Sequence, residues 1–183
     1  DNMDIITKNK TQYNQWCDKK IANFTSNLDD LFVEITDPTK LSKPERDKII
    51  KIIEEINSKK ETSIVLNRFC QSGLIGLSDM KYYEEKILQI VNHQDLQRYY
   101  DGDLVSFNER EIISRKGFDL IPDRLVFLND TDVVVIDYKT GKENDSHKIQ
   151  LNKYKSVLEE MNFKVIEKIL IYVNEKIKIY KSK

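Results

Sequence analysis

The apolar and polar positions fall into an order of helices, then three strands, a helix and two strands. Ile49, Ile50, Ile52, Ile53 and Ile56 form a stripe at helical spacing. Ahead of it, Ser42-Lys43-Pro44-Glu45 puts proline in the first turn and glutamate at a capping-box position. Ser63 to Phe69 predicts a second helical piece. After the turn Gly73 to Gly76, with Ser78-Asp79 as candidate cap, Tyr82, Ile87, Ile90 and Val91 mark a helix ending near Asn92. A connector, Gln94 to Gly102, carries Tyr99 and Tyr100. Residues 1–40 mix polar groups with Tyr13, Trp16, Ile21 and Phe24, and are expected to pack as an arm on a core domain spanning 41–183.

Strand patterns fill most of the rest. Val105 to Ser114 reads as one strand with Glu109 and Glu111 on one face, and Lys116-Gly117 is a turn signal. Two apolar runs follow, Asp119 to Leu128 and Asp132 to Lys139, around the polar break Asn129-Asp130-Thr131. Short runs rich in Val and Ile between turn residues predict paired strands of a buried sheet. Past the polar loop Lys142 to Asn144, Asp145 or Ser146 can cap a helix to Met161, burying Leu151, Tyr154, Leu158 and Met161. Lys164 to Val173 is an apolar strand, and Asn174-Glu175 reads as a two-residue hairpin turn. Lys176 to Tyr180 alternates as an edge strand with one wet face, its lysines discouraging further pairing. The expected fold is α/β, a mixed sheet flanked by helices.

Among the charged groups in or beside the central apolar runs, three stand out: Asp123, Asp137 and Lys139. Strand side chains alternate, so Asp137 and Lys139 share a face and Tyr138 points away. If Asn129 to Thr131 form the loop, Leu128 pairs with Asp132, and the same register sets Asp123 opposite Asp137. Two carboxylates with an ammonium beside them make a site for Mg²⁺ or Mn²⁺. Such a cation lowers the pKa of a water and offsets charge on a phosphate, and the lysine can orient that water. The ordinary alternative is an ion pair at a strand end. Against it stands the cost of burying charge that is neither paired nor bound to metal.

Composition bounds the rest. A chain of 183 residues with 39 % hydrophobic and 33 % charged residues suits one globular domain with an appendage. No membrane-spanning stretch or signal peptide is visible, so a cytoplasmic protein is expected. Cys17 and Cys70 stand far apart, as reduced thiols do, and are too few for a four-cysteine iron–sulfur cluster. The net charge of −1 lacks the basic excess of a free-standing DNA-binding domain. That balance favours a piece of a larger machine; a chain starting at Asp1 fits a fragment and fits processing equally well.

At the site the sequence resembles a known family. Pro122-Asp123 followed by Asp137-Tyr138-Lys139 is similar to the PD-(D/E)xK nucleases. Thr140-Gly141, then Gln150 and Tyr154, narrow this to a resemblance with the nuclease domains of RecB- and AddA-like bacterial helicase–nucleases, over roughly residues 47–175. The resemblance implies a restriction-endonuclease-like core. It implies metal-dependent hydrolysis of DNA, exonuclease rather than endonuclease action, in double-strand break repair and recombination, with a helicase motor as partner. Asp123 and Asp137 would hold Mg²⁺ or Mn²⁺ with the Tyr138 backbone carbonyl, and Lys139 would position the attacking water. Gln150 and Tyr154 would point at the site; the residues alone allow Tyr154 as core and Gln150 and His147 as solvated. Glu109 and Glu111 would border the site, where the pattern alone leaves them in solvent. The family's Gly-x-x-x-His signature is missing. Its histidine position falls on Lys51, unless Lys51 is merely a solvated helix residue, and Glu54 or Glu55 could supply an oxygen instead. A catalytically weakened module with a DNA-binding or structural role is the competing expectation.

Overall fold

A computed structural model describes residues 41–183, apart from Lys116 and Phe118. The chain divides into two compact units after Ser42, and the unit from Lys43 to Lys183 carries the fold below. The expectations for residues 1–40 lie outside the described residues.

The unit is α/β. Four helices, α1 (Lys43–Glu54), α2 (Thr62–Gln71), α3 (Met80–Val91) and α4 (Asp145–Glu160), accompany seven strands. The strands are β1 (Val105–Asn108), β2 (Ile112–Ile113), β3 (Asp119–Leu120), β4 (Arg124–Phe127), β5 (Asp132–Lys139), β6 (Lys164–Tyr172) and β7 (Lys178–Ser182). Five of them form a mixed sheet in the order β1-β4-β5-β6-β7, and β2 and β3 make a separate ribbon. Only β5 and β6 are parallel. A parallel neighbour needs a long crossover, and α4 supplies it.

β5 sits in the middle and is covered on both faces, which is why Val133 to Ile136 reads as an unbroken apolar run rather than an alternating one. On one face Val133 and Val135 join Leu151, Tyr154, Val157 and Leu158 of α4 in a buried cluster. On the other, the Tyr138 hydroxyl bonds to that of Tyr100. Each aliphatic side chain so buried contributes about 1.5–3 kcal/mol. α1, α2 and α3 pack against one another through Ile49, Ile52, Ile53, Leu66, Phe69, Ile87 and Ile90, all buried. Gly102, at φ 87°, must remain glycine, because a Cβ there would lie 2.8 Å from Ser58 Oγ.

Several expected details are corrected. The strand expected over Val105 to Ser114 is broken: Glu109 adopts φ 47°, and Ile112–Ile113 pair with Asp119–Leu120 instead. A left-handed glutamate gives no sign in a hydrophobic pattern. Tyr83, not Tyr82, is buried in α3. Asn144, not Asp145 or Ser146, caps α4, accepting a hydrogen bond from Ser146 N at 2.9 Å. Val157 takes the buried place expected for Met161, which is exposed. The last hairpin pairs Tyr172 with Lys178, so its loop is longer than two residues and β7 starts two residues later than the alternation suggested. Among the described residues no helix is long and apolar enough to cross a membrane.

Candidate active site

The β4–β5 hairpin sets the geometry. Asn129 Oδ1 accepts from Thr131 N at 2.9 Å and Asp132 N at 2.8 Å, closing the loop. Leu128 N then donates to Asp132 O at 2.9 Å, and Arg124 pairs with Ile136. One step further along this register, just before β4 begins, Asp123 stands across from Asp137. Asp123 is fixed from two sides: its Oδ2 accepts from Tyr138 N at 2.7 Å, and its carbonyl accepts from Glu109 N at 2.9 Å.

Asp137 is fully buried at the end of β5. Lys139 Nζ lies 2.5 Å from Asp137 Oδ2, so the ion pair named as the ordinary alternative is present. Both Asp137 oxygens are buried, and the Lys139 ammonium is placed against one of them. In a strand the N–H and C=O of one residue point to the same edge. Lys139 O accepts from Val173 N at 2.8 Å on the β6 side. The Tyr138 carbonyl therefore faces the opposite edge, with Asp123, and its side chain lies on the face away from Asp137.

α1 delivers a third carboxylate. Glu54 ends the helix, and burial together with Asp123, Glu109 and Asp137 pushes its pKa up to about 8, against which Lys51 pulls down. Burial and the neighbouring Asp137 push Asp123 to about 7. Burial also raises Asp137, with Lys139 opposing. Carboxylates held in this way resist ionisation until a cation arrives. Glu55 pairs instead with Arg68, so of the two glutamates it is Glu54 that lies near the aspartates.

The flank formed by α4 carries Tyr154, Gln150 and His147. Tyr154 OH accepts from Gln150 Nε2 at 2.5 Å and donates to Ile121 O at 3.1 Å. Burial and the charges of Asp137 and Asp123 push its pKa to about 12, so it stands beside the carboxylates as a neutral phenol. Tyr154 thus serves both readings, in the core and at the site, with Gln150 attached to it. His147 Nδ1 lies 3.0 Å from Tyr172 OH; burial and Lys139 lower its pKa while Asp137 opposes. Glu109 is exposed but acts electrostatically on both Glu54 and Asp123. Glu111 is exposed beyond the break in the strand, next to the β2–β3 ribbon.

Among the described residues, no three His, Cys, Asp or Glu side chains stand grouped as a ready-made metal-ligand set. The donors do fit a hard divalent cation. They are oxygens, they crowd without neutralising one another, and the Asp137 oxygens are buried with the Lys139 ammonium against one of them in place of water.

Lys51 is exposed and one turn before Glu54, close enough to act on its charge. Its ammonium opposes a cation beside Glu54. Lys51→His should therefore tighten Mn²⁺ binding, by about 10-fold for one added ligand or one removed charge. Calorimetry giving the wild-type affinity would place residue 51 outside the site.

No family model matches the chain, and no curated protein is significantly similar to it. Among solved structures it is similar to one described as the crystal structure of SSO0001, with 18 % identity and a TM-score of 0.31. The match covers 72 % of this chain and 65 % of that one. A similarity of this size carries no argument about function.

Proposed function

We propose that this unit hydrolyses DNA phosphodiester bonds with a bound Mg²⁺ or Mn²⁺, as the nuclease part of a RecB/AddA-like helicase–nuclease of the PD-(D/E)xK kind. The observation that carries the reading is Asp123 facing the buried Asp137 across the hairpin, with Lys139 paired to Asp137 and both aspartates close enough to act on the charge of Glu54. Asp123, Asp137 and the Tyr138 carbonyl would hold the cation, and Glu54 would stand where the family has histidine. The cation supplies Lewis acidity for the phosphate and a more acidic water. Lys139 would leave Asp137 to orient the attacking water and offset charge gained by the phosphate. Tyr154 and Gln150 would wall the site on the α4 side. A DNA substrate, a motor partner that feeds it and a cytoplasmic location belong to the same reading.

The test is degradation of single-stranded DNA with Mn²⁺ or Mg²⁺. Lys139→Ala should lower the rate by about 10²-fold. Equal rates for Lys139→Ala and wild type would remove Lys139 from the chemistry. The competing reading, a module that keeps the fold and cuts nothing, draws on the Lys139–Asp137 ion pair and on the absence of a ready-made ligand set among the described residues. Calorimetry with millimolar Mn²⁺ separates the two: no binding favours the inert module.

A further inference from the structure

Arg124 follows Asp123 directly and is fully buried. Among the described residues its acceptors are all neutral. Nη1 donates to Ile56 O at 2.7 Å and Asn108 Oδ1 at 2.9 Å. Nη2 donates to Asn57 O at 2.9 Å, Tyr99 O at 2.9 Å and Ser106 Oγ at 3.1 Å. The guanidinium lies 4.4 Å from the centre of the Tyr100 ring, and its Nε has no partner. A buried charge without a counter-ion is a poor way to stabilise a core, since an apolar side chain of similar volume does so at lower cost. What the planar fork offers is direction, because it fixes several acceptors at once.

Those acceptors sit beside the acidic residues. Ile56 and Asn57 follow Glu54 by two and three positions, Asn108 precedes Glu109, and Asp123 is the neighbour of Arg124 itself. Asn108 Nδ2 also donates to Asn57 Oδ1 at 3.2 Å, tying the end of β1 to the segment after α1. Asp137 is placed differently, by β5 pairing on both sides.

We propose that Arg124 is a positioning residue: its buried guanidinium ties the segment after α1 and the end of β1 to the start of β4, and so sets Glu54 and Glu109 at their distance from Asp123. This rests on the metal-dependent reading above for its purpose, though not for its geometry. Without Arg124 the hairpin still brings Asp123 to Asp137, but the carboxylate from α1 is no longer held in place.

The experiment pairs crystal structures with Mn²⁺ titrations of wild type, Arg124→Lys and Asn108→Ala. Lysine keeps the charge and loses the fork. In Arg124→Lys, Glu54 should move away from Asp123 by about 1 Å or more while the β4–β5 register holds, and Mn²⁺ affinity should fall about 10–100-fold. Asn108→Ala removes one acceptor and should shift both readouts the same way by less, which preserves the test should Arg124→Lys not fold. Variants with wild-type spacing between Glu54 and Asp123, or with spacing altered and Mn²⁺ affinity unchanged, would overturn the proposal. If wild type itself binds no Mn²⁺, the metal reading fails, and the crystallographic comparison alone decides whether Arg124 sets the spacing.

Discussion

Asp137→Asn should abolish Mn²⁺-dependent DNA cleavage and leave the fold intact. Asp137 is central in the proposed site: it is fully buried, it faces Asp123 across the hairpin and it holds Lys139. An amide keeps the shape and supplies one neutral oxygen, so the lost quantity is a negative charge. Lewis-acid stabilisation of a phosphoryl transition state amounts to several kcal/mol, and at 1.36 kcal/mol per decade its loss lowers the rate by about 10³-fold. The same substitution should stabilise the metal-free protein at pH 8, because it ends the repulsion that, after burial, raises the pKa of Asp123. The two effects have opposite signs, which separates a site residue from a packing residue. Loss of activity together with a lower melting temperature would mean that Asp137 supports the fold through its ion pair with Lys139 and nothing more.

The sequence made the hairpin legible because loop length fixes register, and register fixes which residues face each other. Asn129 advertised the turn through the residue type that closes it, so the meeting of Asp123 and Asp137 could be counted off. Glu54 was harder to read. Its helix was evident from the isoleucine stripe, but which of Glu54 and Glu55 turns toward Asp123 depends on how α1 docks, and docking leaves no trace in periodicity. Arg124 left a signal that drew no expectation: a charge inside an apolar run, in the same stretch that drew attention to Asp123 and Asp137. Its partners are mostly backbone carbonyls, far away in sequence and of no particular residue type. The break at Glu109 was invisible for a different reason, since its positive φ belongs to the closure of β1 on Asp123 rather than to local preference.

The metal-free protein should lose stability as the pH rises from 6.5 to 8, and Mn²⁺ should restore it. In the folded state Glu54 titrates near 8 and Asp123 near 7, against ordinary values of 4.5 and 3.8, and Asp137 is raised as well. Between the two sets of values the folded protein binds protons that the unfolded chain has released. Stability from these groups is therefore complete below about pH 4 and is lost as the pH climbs through 7 to 8. His147 acts in the opposite sense, because its pKa is lowered on folding, but that contribution is over once the pH passes its ordinary value of 6.5. The window above 6.5 isolates the carboxylates. A cation ligated by them displaces their protons, so its stabilising effect should grow with pH. At a hundredfold excess over its Kd a ligand of the native state contributes about 2.7 kcal/mol. For a domain of this size that is a rise of about 5–11 °C in melting temperature. Differential scanning calorimetry at pH 6.5 and pH 8, with EDTA and with saturating Mn²⁺, reads both effects together. A melting temperature in EDTA that rises across this window, or a Mn²⁺ shift that does not grow with pH, would show that the carboxylates of Glu54, Asp123 and Asp137 do not share a cation.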